Sequence, residues 1–186
     1  MIEGDAGSGK TTFLRRIAWA LCRKTRDPQL DLHGFAILIR VRQLDEHISQ
    51  TLRRPKAGDP TLADEARWVA HFLASRGWGL DESFWNDKLN DPQSVLLVDG
   101  LDEAVNRQCR EEIADLFTNA AARWECHMVV TTRPGAYEGR VTLTGWSKTT
   151  IAPLDLPGIE KFLLQWCMWL KGGAEETARP TTNPIA

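Results

Sequence analysis

Residues Gly4 to Thr12 read GDAGSGKTT, and Gly4, Gly9, Lys10 and Thr11 satisfy the pattern G-x-x-x-x-G-K-[ST]. Each fixed position serves the holding of a polyphosphate. Glycines let the backbone curl so that successive N–H groups point inward at phosphate oxygens. A lysine in this place bridges the β- and γ-phosphates, and the hydroxyl after it reaches Mg²⁺. The helix that must follow turns its positive end toward the same phosphates. The segment Gly4, Asp5, Ala6, Gly7, Ser8, Gly9, Lys10, Thr11 and Thr12 is therefore the candidate binding loop for a nucleoside triphosphate, with Thr11 a candidate metal ligand.

Two further segments carry matching chemistry. In Val95 to Ala104, VLLVDGLDEA, four apolar residues lead into an aspartate, which places Asp99 at the carboxyl end of a buried strand. A carboxylate there holds Mg²⁺, usually through its water. Asp102 and Glu103 follow on the same loop, and one of them can orient an attacking water or accept its proton. In Val129 to Pro134, VVTTRP, a strand ends in two threonines and an arginine. Thr132 or Arg133 is placed to sense a γ-phosphate, the arginine through charge-assisted hydrogen bonds.

Positioning these groups takes alternating strands and helices. Lys10 to about Lys24 has an apolar stripe at Leu14, Ile17, Ala18 and Leu21, as a helix requires. Phe35 to Val41 is an apolar run too short for a helix and reads as a buried strand. After a basic, proline-containing loop from Leu52 to Pro60, Thr61 caps a helix with Leu62, Ala66, Val69 and Leu73 on one face. A shorter helix is predicted from Asp81 to Leu89, then strand Val95 to Val98, helix Arg107 to Trp124 and strand Met128 to Thr132. A weaker strand lies within Val141 to Ile151, and Asp155 caps a last helix. This alternation predicts an α/β fold, a parallel sheet covered on both faces with ligands at the carboxyl ends of its strands. Only Met1-Ile2-Glu3 precedes the loop, so the first strand is expected to be largely missing and its neighbours to expose edges. That predicts a loop chemically complete but poorly anchored, with weak ATP binding or aggregation.

The bulk properties narrow the partners. A length of 186 residues, 42 % of them hydrophobic, suits one domain with a real core. A net charge of −2 argues against nucleic acid or anionic membrane as the general partner. Cys22, Cys109, Cys126 and Cys167 have no metal spacing, and free thiols in a reducing cytoplasm are expected. His33, His47, His71 and His127 lack ligand spacing and read as structural. Asp155-Leu156-Pro157-Gly158 matches D-x-x-G, but it lies beyond the other nucleotide motifs and no N-K-x-D segment occurs, so a helix start accounts for it.

Taken in order and spacing, GDAGSGKTT, VLLVDGLDEA and VVTTRP resemble the NACHT branch of the STAND signal-transduction ATPases, the NLR-like proteins. In that family the magnesium-site strand reads hydrophobic run, Asp, small residue, hydrophobic, Asp, Glu, as Asp99-Gly100-Leu101-Asp102-Glu103 does. Its sensor segment reads T-[ST]-R-P, as Thr131-Thr132-Arg133-Pro134 does. The likeness covers about residues 1 to 170, with 171 to 186 a linker and the start of a helical domain. It implies a three-layer P-loop NTPase with sheet order 5-1-4-3-2, ATP or ADP with Mg²⁺, slow hydrolysis and nucleotide-controlled self-oligomerisation. It also implies that Pro184, in Thr182-Asn183-Pro184, packs on the adenine; a linker proline explains that residue equally well. Two other classes stay open on sequence: an AAA-like or metabolic P-loop ATPase, marked by rapid turnover, and an interaction fragment that binds no nucleotide.

Overall fold

Strands form where β-branched and leucine residues run without interruption. The computed structural model describes residues 1–23, 34–51, 67–136, 143 and 145–177. Among these, β1 (Ile2–Glu3), β2 (Phe35–Arg40), β3 (Ser94–Asp99), β4 (His127–Thr132) and β5 (Thr149–Thr150) make one sheet in the order β2-β3-β4-β1-β5. Every pairing is parallel, with Arg40 opposite Asp99, Val98 opposite Val130, and Ile2 between Thr131 and Thr149. This is the 5-1-4-3-2 order of the P-loop NTPase fold.

Period-two alternation divides the strand residues between two faces. Leu97 packs with Leu14, Ile17 and Leu21 of α1 (Lys10–Arg23) on one face. Ile37, Ile39, Leu96 and Val98 point the other way. There they meet α2 (Val41–Thr51), α3 (Arg67–Ala74), α4 (Glu82–Leu89) and α5 (Arg107–Ala121), with Phe117, Leu44 and Leu73 fully enclosed. Helices therefore cover both faces. The α4 start is capped by Asp81, whose side chain accepts from Phe84 N, and the α5 start by Asn106, which accepts from Cys109 N.

One helix departs from expectation. The chain passes from β2 straight into α2 with no turn residue between Arg40 and Val41. Val41, Leu44 and Ile48, at helical spacing, are its buried side.

β1 is two residues long, yet both of its flanks are paired. Beyond its ladders, Thr149 N donates to Met1 O at 3.0 Å, Ile151 N to Glu3 O at 2.8 Å and Gly4 N to Thr132 O at 3.2 Å. The Glu3 carboxylate is buried and ion-paired with Lys148 Nζ at 2.6 Å. Further along β4, His127 to Val130 pair on the β3 side only among the described residues.

The described residues from Ala152 onward form a second compact unit. It contains α6 (Leu156–Thr177), whose start is capped by Asp155: Gly158 N donates to Asp155 Oδ1 at 2.8 Å. The helix continues through Lys171, where composition suggests a linker, to Thr177. No helix among the described residues is long and apolar enough to cross a membrane.

Candidate functional site

The strand ends bring the chemistry-bearing residues to one place. Because β1, β3 and β4 are parallel and adjacent or next-adjacent, the segments leaving their carboxyl ends converge. They enclose a cavity of about 300 Å³ lined by Ala6, Gly7, Gly9, Lys10, Thr11 and Thr12 from the first segment. Asp99, Gly100, Asp102 and Glu103 line it from the second, and Arg133 from the third.

The first segment is a tight loop opening into α1. Gly7 and Gly9 have φ values of 79° and 91°, in the left-handed region that side chains disfavour. Ser8 N donates to Asp5 O at 3.1 Å, and Phe13 N donates to Gly9 O at 2.8 Å as the helix begins. Lys10 Nζ donates to Gly4 O at 2.6 Å and Asp5 O at 2.9 Å, so the ammonium is held over the loop by its own carbonyls. Gly4, Asp5 and Ser8 thus shape the loop without lining the cavity.

Asp99 is the hub of the second segment. It is buried at 8 % exposure and receives Thr11 Oγ1 at 2.9 and 3.1 Å on its two oxygens. Thr131, completely buried, donates to Asp99 Oδ1 at 3.1 Å and accepts from Gly100 N at 2.9 Å. Sequence reasoning gave Thr131 no role of its own. Its signal was available as a hydroxyl at the end of a strand neighbouring the aspartate strand.

A short 3-10 turn, Leu101–Glu103, carries the acid pair. Asp102 Oδ2 pairs with Arg133 Nε at 2.8 Å, and the Asp102 carbonyl accepts from Arg110 Nη2 of α5 at 3.3 Å. The turn is steadied from behind by Asp45 of α2, a carboxylate at 1 % exposure that accepts from Val105 N at 2.9 Å. Asp45 had no local signature, since its partner is 60 residues away in sequence. Of the two candidate sensors, Arg133 lines the cavity, whereas Thr132 is buried with its hydroxyl 3.5 Å from Arg133 O. Pro184 lies outside the described residues.

The donor set suits a polyphosphate and a hard cation. The amino end of α1, the curled glycine backbone and the Lys10 ammonium offer N–H donors to anionic oxygens. Ser8 Oγ is enclosed against Gly4 within that loop, with no hydrogen-bond partner among the described residues. Thr11 Oγ1 and Asp99, already in contact, are the oxygen ligands that Mg²⁺ prefers.

A second polar cluster lies between α2 and α3. His47 Nε2 and His71 Nδ1 are 2.8 Å apart, and burial together with the neighbouring His71 lowers the His47 pKa. Burial pushes the Cys126 thiol up to about 11. No group of three or more metal-ligating side chains occurs among the described residues.

Compared with known proteins, residues 1–168 match the family model of the NACHT domain. No curated protein and no solved structure matches the chain. With the match spanning nearly all of the sequence, and the sheet order and cavity already in place, the chain belongs to the NACHT domain family of nucleotide-binding NTPase switches.

Proposed function

We propose that this domain is an ATP-operated switch, ADP-bound at rest and ATP-bound when assembled, with slow Mg²⁺-dependent hydrolysis resetting it. The observation that carries the reading is the convergence of Lys10, Thr11, Asp99, Asp102, Glu103 and Arg133 on one cavity from three separate strand ends. The loop 4–12 binds the phosphates, and Lys10 exchanges its carbonyl partners for phosphate oxygens. Thr11 and Asp99 hold Mg²⁺, which supplies charge neutralisation at the phosphates. Asp102 or Glu103 orients the attacking water, and Arg133 reports the γ-phosphate. The same proposal includes self-assembly, a signalling or defence-like output and a cytoplasmic setting, which the resemblance to the family supports, and adenine packing by Pro184, which lies beyond the matched residues 1–168.

Calorimetry of the chain with MgATP tests the reading. Lys10→Ala weakens binding by at least about tenfold, because hydrogen bonds to charged groups contribute ~1.5–3 kcal/mol. Glu103→Gln retains binding and slows turnover. Wild-type affinity in the Lys10 variant sinks the site assignment.

A further inference from the structure

The two acids that follow Asp99 occupy different environments. Asp102 has a side chain only 9 % exposed: Oδ2 is engaged by Arg133 Nε at 2.8 Å, and Oδ1 is enclosed with no partner among the described residues. Its backbone is fixed as well, the carbonyl held by Arg110 and the turn by the bond from Glu103 N to Gly100 O at 2.9 Å. Glu103, the next residue, is exposed and lines the same cavity, and its carboxylate has no hydrogen-bond or ion-pair partner among the described residues. A base must present a carboxylate oxygen to the water it activates. Glu103 has its whole carboxylate for that task, whereas Asp102 has one oxygen engaged by Arg133 and the other enclosed.

Arg133 is the other half of the distinction. Its side chain is 53 % exposed, so without a partner it would sample many rotamers. The bond to Asp102 engages Nε and leaves both terminal nitrogens of the guanidinium unengaged among the described residues. Those two nitrogens form a fork that matches phosphate geometry. The anchor and the fork are on the same planar group, so holding one orients the other.

We propose that Asp102 is a positioning residue for Arg133, setting its guanidinium for the terminal phosphate of ATP, and that Glu103 alone serves as the hydrolytic base. The proposal rests on the reading of this cavity as an ATP site. Asp102 thereby governs discrimination between ATP and ADP, while Glu103 governs turnover.

The full chain and its variants Asp102→Ala, Asp102→Asn, Arg133→Ala, Asp102→Ala/Arg133→Ala and Glu103→Gln are titrated with Mg²⁺ plus ADP or a non-hydrolysable ATP analogue, and phosphate release is followed separately. Asp102→Ala weakens the analogue roughly three- to tenfold, the ordering cost of about one immobilised side chain, and shifts ADP affinity less than about twofold. Arg133→Ala does the same, and the double variant is no weaker than Arg133→Ala alone. Glu103→Gln binds the analogue as wild type and loses phosphate release. Asp102→Asn keeps an oxygen for the Nε bond and the side-chain shape, so its loss of analogue affinity is smaller than that of Asp102→Ala and it serves if the alanine variant fails to fold. Wild-type analogue affinity in both Asp102 variants with phosphate release lost, or equal tightening of ADP and analogue, overturns the proposal and leaves the ATP site standing. Unchanged analogue-to-ADP preference in Arg133→Ala removes the sensor role and the proposal with it. Failure of wild type to bind either nucleotide removes the ATP-site reading itself.

Discussion

Replacing Thr131 with valine tests whether the aspartate hub is held as described. The two side chains have the same shape, and both suit a strand, so the change removes little besides the hydroxyl. That hydroxyl is completely buried, donates to Asp99 Oδ1 at 3.1 Å and accepts from Gly100 N at 2.9 Å. Its loss leaves the buried Gly100 N–H without an acceptor, at ~1–3 kcal/mol, and removes one charge-assisted bond from Asp99. Thr11 still donates to both Asp99 oxygens, so the second loss is partly offset. The expected destabilisation is about 2–4 kcal/mol, a fall in melting temperature of roughly 5–15 °C for a chain of this size. Thr131→Ser keeps the hydroxyl and deletes a buried methyl, costing about 1 kcal/mol. Thermal unfolding followed by circular dichroism, with and without Mg²⁺ and nucleotide, separates the two contributions. The valine variant should melt below the serine variant and gain less from the magnesium nucleotide. A valine variant within 2 °C of wild type, or a serine variant that melts no higher than valine, refutes the hydroxyl's role on this reasoning.

The remaining predictions concern the acid turn and the histidine pair. Gly100 sits at φ 76°, and a Cβ there would meet Glu103 Cδ and Cγ at 2.9 and 3.0 Å. Gly100→Ala therefore combines a left-handed strain of about 1–2 kcal/mol with a displaced Glu103; single-turnover phosphate release should fall more than nucleotide affinity, and equal losses would argue against it. His47 is the acid-sensitive contact between α2 and α3. Burial, and then the charge of His71, lower its pKa in the folded chain, so the unfolded chain binds more protons below the ordinary histidine value of about 6.5. Stability rises with pH through the window between the folded value and about 6.5, and is lost as pH falls through it. The drop in melting temperature between pH 7 and pH 5.5 should be smaller in His47→Gln than in wild type; identical drops would show that the pair does not titrate in this range.

What the sequence by itself determined lies in short segments. Gly4 to Thr12, Val95 to Glu103 and Val129 to Pro134 carry their own chemistry, since a phosphate loop or an acid-tipped strand needs only a few consecutive residues. The short apolar runs of β2, β3 and β4 and the stripe of α1 were equally local, and with them the parallel α/β class. Helix α2 was not legible, because Phe35 to Val41 reads as one apolar run and no turn residue marks where strand becomes helix at Arg40-Val41. Only packing of Val41, Leu44 and Ile48 against the core settles that change. The roles of Thr131, Asp45 and Asp102 also waited for the tertiary structure. The partners of the Thr131 hydroxyl and of the two carboxylates, Asp99, Val105 and Arg133, lie 32, 60 and 31 residues away, so no pattern within one segment could pair them. Two neighbouring acids look alike as letters. Burial and a guanidinium at 2.8 Å set Asp102 apart from the open carboxylate of Glu103, because accessibility to water depends on how distant elements close around a side chain.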